Sequence, residues 1–176
     1  MMFRTMRAAL VIGTSIAALV GGVTTAYAAP ADTSSFVRLR AQHSDKCLTV
    51  SEGKLGRASV VQQSCADDLD NQLFELRSGG GGLISVWAKH SGRCIGGAEP
   101  WTDWYVEQKW CSDNSSERWR VMLVEVAKGL YELRPASRTD YCLTIPYSSQ
   151  FEGEWAMVET CTGAPSQRWR IQPAAS

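Results

Sequence analysis

The chain has 176 residues, with 18 Lys+Arg balanced by 18 Asp+Glu, two histidines, six cysteines and seven tryptophans. Zero formal net charge argues against a nucleic-acid-binding protein with a basic face and against a polyanionic tail. A charged fraction of 20% beside 44% hydrophobic residues excludes a disordered chain, and the length fits one ordinary domain or two very small ones.

The N-terminus reads as a secretory signal. Arg4 and Arg7 precede a small-apolar run of 16 residues, Ala8 to Val23, followed by Ala26-Tyr27-Ala28. A basic start, a short apolar stretch and a small-x-small site predict cleavage after Ala28. The run is shorter than the ~20 residues that span a bilayer, so a membrane anchor fits less well. Removal of 1–28 leaves 148 residues with 16 Lys+Arg and 18 Asp+Glu, and no second membrane segment. The expected compartment is extracellular and oxidising. Residues 29–35 form an N-terminal extension.

From residue 36 onward the chain repeats itself three times, over about 36–78, 83–126 and 129–173. Cys47, Cys94 and Cys142 open corresponding segments, and Cys65, Cys111 and Cys161 follow them by 18, 17 and 19 residues. Eight or nine residues after each second cysteine stands an aromatic: Phe74, Trp119 and Trp169. In chain order each repeat predicts four strands. The first alternates apolar and polar residues, as in Phe36-Val37-Arg38-Leu39-Arg40; the second starts at the first cysteine. The third covers Val60–Gln62, Val106–Gln108 or Ala156–Val158, and the fourth begins at the aromatic. No stretch holds an apolar stripe of helical period, so the expected class is all-β, with three four-stranded repeats closed into one domain over 36–173. The Gly79–Gly82 run is expected to be a flexible linker between repeats.

Threefold repetition predicts disulfides within repeats: Cys47–Cys65, Cys94–Cys111 and Cys142–Cys161. Each would close a loop of about 18 residues, worth roughly 3 kcal/mol through lost entropy of the unfolded chain. Zinc would need close-spaced cysteine pairs, and a redox site Cys-x-x-Cys; the chain has neither. No metal and no cofactor are expected. His43 and His90 both stand four residues before a first cysteine, where the third repeat has Arg138. Equivalent places suggest turn roles, not halves of one catalytic group, and no nucleophile motif accompanies them. A pair of glycosidase carboxylates would need only to meet in space, but loop acids such as Asp67, Asp68, Glu152 and Glu154 read more simply as solvated surface. The expected protein is not an enzyme. Asn114-Ser115-Ser116 is a glycosylation sequon.

Three blocks carry a family resemblance: Asp45-Lys46-Cys47-Leu48-Thr49-Val50, Val60-Val61-Gln62-Gln63-Ser64-Cys65, and Asn71-Gln72-Leu73-Phe74. With their counterparts ending in Arg118-Trp119 and Arg168-Trp169, they resemble ricin-B-type β-trefoil lectins and the carbohydrate-binding modules of bacterial glycanases. The resemblance implies a β-trefoil and up to three shallow sugar sites. It also implies an Asp two residues after each first cysteine, where this chain has Thr49, Gly96 and Thr144. An aromatic is implied two residues before each second cysteine, where Gln63, Lys109 and Glu159 stand. The Asn before the Gln-x-Trp glutamine survives only as Asn71. A sugar site wants an acceptor for adjacent hydroxyls and a ring against the C–H face, so the candidates are Thr49, Asn71 and Gln72 with the loop rings Trp101, Trp104 and Trp155. Those three tryptophans fit either a stacking platform or a cap on the trefoil. The expected partner is a carbohydrate, with an extracellular protein as the alternative: an inhibitor or toxin-complex subunit that has lost sugar binding.

Overall fold

Alternating apolar and polar residues produce short strands along the whole of the repeating region. In the first, β1 (Phe36–Ala41), Leu39 and Ala41 are buried in the core and Val37 packs against it. β2 (Cys47–Val50), β3 (Ala58–Gln63) and β4 (Phe74–Ser78) follow, then β5 (Ile84–Ala88), β6 (Cys94–Gly96), β7 (Glu107–Lys109) and β8 (Arg118–Glu125). The last four are β9 (Leu130–Pro135), β10 (Tyr141–Thr144), β11 (Met157–Thr160) and β12 (Trp169–Pro173). The computed structural model describes residues 36–97, 104–112 and 115–174, all within one compact unit. The expected signal peptide, the extension at 29–35, Trp101 and Asn114 lie outside the described residues. Among the described residues the helical turns are all short 3-10 turns, consistent with the missing 3.6 period.

Six strands pair antiparallel into a closed ring, in the order β1, β4, β5, β8, β9, β12 and back to β1. Closure removes the open edges that would otherwise template association. Hairpins β2–β3, β6–β7 and β10–β11 cover one end of the ring. They meet on an axis where Val60 N donates to Val106 O at 3.0 Å, Val106 N to Ala156 O at 2.8 Å, and Ala156 N to Val60 O at 2.8 Å. All three residues are fully buried.

Corresponding positions of the repeats fill the interior. Leu39, Val86 and Leu133, then Leu48, Ile95 and Leu143, then Phe74, Trp119 and Trp169 are all without solvent exposure. Each side chain of this size contributes about 1.5–3 kcal/mol by burial. The two buried indoles also satisfy their N–H groups: Trp119 donates to Ile95 O and Trp169 to Leu143 O, both at 3.0 Å. Cys47–Cys65, Cys94–Cys111 and Cys142–Cys161 are disulfides, with Cα atoms 5.0, 4.9 and 5.1 Å apart. Beside each bond a buried amide or carboxylate ties down the chain that leaves the second cysteine. Gln72 accepts from Ala66 N at 2.9 Å, Gln167 accepts from Thr162 N at 2.7 Å, and Glu117 accepts from Ser112 N.

The Gly79–Gly82 run corrects an expectation. It is a tight turn joining β4 to β5, not a loose linker: Gly79 N donates to Leu83 O at 2.9 Å and Leu83 N to Gly80 O at 3.0 Å. Gly80, Gly81 and Gly82 all hold positive φ, which only glycine adopts at low cost.

The loop before β11 is fastened to the first repeat by Glu152. Its carboxylate accepts from Ser64 N at 2.8 Å and Ser64 Oγ at 2.7 Å, and pairs with Lys46. The Lys46 bond, then the Ser64 hydroxyl, hold the Glu152 pKa down to about 2 from the usual 4.5. A carboxylate with a depressed folded-state pKa stabilises the fold above its unfolded value, and that contribution is lost as pH falls through the folded value. The stabilisation is therefore complete above about pH 4.5 and gone by about pH 2; half-exposure of the side chain keeps it modest. Urea midpoints of wild type and Glu152→Gln should differ at pH 6 and converge as pH approaches 2. A gap that stays constant across that window would show that the carboxylate does not carry the contact.

Candidate functional site

Two of the three hairpin loops are held by the same device. In the first repeat Gln62 Nε2 donates to Ser149 O at 2.7 Å and Phe151 O at 3.0 Å, its Oε1 accepts from Ser44 Oγ at 2.8 Å, and His43 Nε2 donates to Ser149 O at 2.9 Å. In the second, Gln108 Nε2 donates to Lys54 O at 2.8 Å and Gly56 O at 2.5 Å, Oε1 accepts from Ser91 Oγ at 2.7 Å, and His90 Nε2 donates to Lys54 O at 3.0 Å. Each of these two repeats thus grips another repeat's loop with a buried glutamine and a turn histidine. Burial lowers the His43 pKa, which favours the neutral ring, and its Nε2–H is the donor this contact uses.

The third repeat has neither group. Val158 stands at the place of Gln62 and Gln108, and Arg138 at the place of the histidines. Arg138 turns instead to aromatic rings, its guanidinium 3.7 Å from the Tyr141 ring centre and 5.0 Å from that of Trp104. Trp104 and Tyr141 stack with centres 5.1 Å apart and planes 5° from parallel. The backbone fixes this ring pair as well: Val158 N donates to Trp104 O at 2.7 Å, and Tyr105 bridges to Met157.

Beside the stack opens a cleft of about 270 Å³, walled by Trp104, Tyr141, Met157, Val158, Glu159 and Thr160. Trp104 remains 44% exposed with one face against Tyr141. The Glu159 carboxylate has no hydrogen-bond or ion-pair partner among the described residues. The exposed Trp104 ring, Glu159 and Thr160 border this cleft. Such a set can stack against an apolar ring face and accept from adjacent hydroxyls.

The residues expected from the sequence separate into distinct places. Thr49 is fully buried, its hydroxyl donating to Cys47 O at 3.0 Å. Gln72 is fully buried too, donating to Ser64 O at 2.9 Å while accepting from Ala66 N. Asn71 is half-buried and donates to Val50 O at 2.8 Å. Trp155 is half-exposed and meets Tyr105 edge-on at 4.7 Å, outside the cleft. Of the five that are described, Trp104 alone lines the cleft; Trp101 lies outside the described residues. Arg138, Tyr141 and Glu159 were absent from the sequence candidates; the signal that points to them is the departure of the third repeat from the His and Gln of the other two.

A second exposed patch lies on the loop that Gln62 grips. Tyr147 is 98% and Phe151 77% exposed, and Tyr147 holds φ of 55° in the left-handed region. No metal-binding use fits the sulfurs near Glu132, because Cys142 and Cys161 are joined to each other and Glu132 accepts from Arg134 at 2.6 Å.

No protein-family profile and no curated sequence matches the chain. Solved structures do. A designed three-fold symmetric protein, ThreeFoil, is 27% identical with a TM-score of 0.72, over 78% of this chain and 98% of its own. The fold is a β-trefoil. The C-half of an earthworm R-type lectin in complex with GalNAc is 18% identical with a TM-score of 0.60, over 78% of this chain and 97% of its own. An exo-β-1,3-galactanase from Clostridium thermocellum is 20% identical with a TM-score of 0.72; the match takes in 82% of this chain but 31% of the galactanase. Structures of cytolethal distending toxins share the trefoil as well.

The Trp104–Tyr141 stack gives a test that needs no ligand. Parallel rings at this separation are worth about 0.5–1.5 kcal/mol beyond buried area. A double-mutant cycle on the trefoil's unfolding free energy, with Trp104→Ala and Tyr141→Ala, should return a coupling of that size. Additive single effects would show that the rings are merely adjacent.

Proposed function

We propose that the chain is a secreted, non-catalytic carbohydrate-binding protein of the ricin-B type, built of three four-stranded repeats and binding a neutral sugar at the third. The observation that carries this reading is the Trp104 cleft, where a half-exposed indole and the uncommitted Glu159 share one wall. A pyranose laid on Trp104 would present its C–H face to the ring and two hydroxyls to the Glu159 carboxylate. Arg138 and Tyr141 would hold the indole in place, so little side-chain freedom is lost on binding. The sugar-bound R-type lectin among the structural neighbours supports the ligand class. The residues 1–28 that read as a signal peptide, together with three disulfides, support export.

A second reading, a protein-docking trefoil, draws on Tyr147 and Phe151, which are exposed well beyond what packing requires. Toxin structures among the neighbours are consistent with it.

A panel of neutral mono- and oligosaccharides titrated into the mature protein decides between the two. The expectation is weak, saturable binding that Trp104→Ala and Glu159→Gln each reduce by about 5- to 100-fold, or roughly 1–3 kcal/mol. Trp155→Ala and Thr49→Val should leave the affinity unchanged. A folded protein that binds no neutral sugar at millimolar concentration would remove this reading and favour the protein-docking one.

A further inference from the structure

Two cation–aromatic pairs sit around the second disulfide and share no residue with the Trp104 cleft. The Arg93 guanidinium lies 3.5 Å from the Trp110 ring centre, and that of Arg77 3.8 Å from Trp87. The Cys94–Cys111 bond anchors both rings, since Trp87 opposes Cys94 across β5 and β6 and Trp110 immediately precedes Cys111. Each pair borders its own depression. One, of about 500 Å³, is walled by Arg57, Arg93, Lys109 and Trp110; the other, of about 380 Å³, by Arg77, Trp87 and Arg118; Ser112 borders both.

The charge around them is uneven. Five cations face these two depressions, and Glu117 is the sole carboxylate among their described walls. Glu117 is buried and turned to the Ser112 amide. Arg57 pairs with Glu107 at 2.5 Å and Arg77 with Glu75 at 2.6 Å, whereas Arg93 has no carboxylate partner among the described residues. Trp110 stays 74% exposed although Arg93 covers one of its faces. An indole open on one face and capped by an unneutralised guanidinium on the other offers stacking and charge at the same spot.

We propose that the surface formed by Arg93–Trp110 and Arg77–Trp87 about Ser112 binds an acidic polysaccharide, a chain whose pyranose rings carry carboxylates. The ring of one residue would stack on the open face of Trp110 while its carboxylate meets Arg93. The next cation–aromatic pair continues the surface past Ser112. The Arg93 guanidinium, held flat on the Trp110 indole and without a carboxylate partner, keeps its N–H edge for a carboxylate and binds one with less loss of freedom than a mobile lysine, while Arg77, paired with Glu75, adds positive charge beside it. A polynucleotide is the poorer occupant, because the chain as a whole carries zero formal net charge and attracts no dense polyanion over distance. The site does not depend on the neutral-sugar reading of the third repeat.

The experiment is calorimetric titration of the mature, disulfide-intact protein with an oligogalacturonate, alongside an uncharged galactan oligosaccharide and a thymidine oligonucleotide of equal charge. Oligogalacturonate should bind and should weaken several-fold between about 50 and 200 mM salt. Arg93→Gln and Arg77→Gln, each checked for fold by near-ultraviolet circular dichroism, should each weaken it about 5- to 30-fold. Trp110→Ala should do the same, and Trp104→Ala should have no effect. No binding by the folded wild type, or full binding by both arginine variants, overturns the proposal. Equal affinity for the oligonucleotide overturns the glycan assignment. Loss of neutral-sugar binding in Trp104→Ala with oligogalacturonate binding intact shows the two sites to be separate, so failure of one reading is not failure of the other.

Discussion

The fold depends on a ring of three backbone hydrogen bonds. Val60, Val106 and Ala156 each donate to the next, at 2.8–3.0 Å, so no single repeat can satisfy its own central amide. An unpaired buried donor costs about 1–3 kcal/mol, so the three hairpins are stable together and not separately. The flanking residues repeat the arrangement: Ser59 pairs with Glu107, Tyr105 with Met157, and Trp155 with Val61. These contacts require three segments of the same conformation at one axis, with side chains small enough to meet there. The closed six-stranded ring beneath them and the shared interior follow from that requirement.

Once the hairpins are fixed at the axis, their outer loops must be fastened separately. Gln62 and Gln108 do this from fully buried positions, with both ends of each amide used. Val158 breaks the scheme, and a second departure matches it. Gly97 occupies the place of Val50 and Ile145, and a Cβ on it would lie 3.4 Å from Val158 Cγ1. The valine methyl groups fill space that a larger residue at 97 would need, so an apolar contact replaces the glutamine clamp. The cleft opens beside that replacement, with Val158 in its wall.

The regular part of this architecture was legible in the sequence. Cysteine spacing marked the disulfides, and the aromatic after each second cysteine marked the core, because both depend on contacts made within one repeat. Strand starts at Phe36, Cys47, Phe74 and Trp169 could be read from the repeat, though β8 begins one residue before its aromatic and runs eight residues to Glu125. The clamps could not be read. Gln108 reaches a carbonyl 54 residues away, Gln62 one 87 away, and His43 one 106 away. A glutamine that holds a distant backbone looks, in sequence, like any polar strand residue. For the same reason Trp104 could be named as an exposed loop ring, but its stacking on Tyr141 was not foreseeable.

The positions where the resembled lectins carry an acidic acceptor explain why any sugar site here must be built elsewhere. Thr49 and Thr144 have almost no exposure, and their hydroxyls are spent on Cys47 O at 3.0 Å and Ser166 O at 3.5 Å. A carboxylate introduced at either place would be buried without a cation, at a cost of several kcal/mol. Gly96, the third such position, is also buried, in the short strand β6. The inner faces of the hairpins are therefore closed to charge in all three repeats. The neutral-sugar site proposed at Trp104 uses residues that point outward at a repeat boundary, and it occupies a boundary that no glutamine clamp fills. Only at the third repeat, with Val158 and Arg138 in place of glutamine and histidine, are both conditions met among the described residues. Its loss of threefold symmetry is thus the structural reason that Trp104 and Glu159 face a cleft.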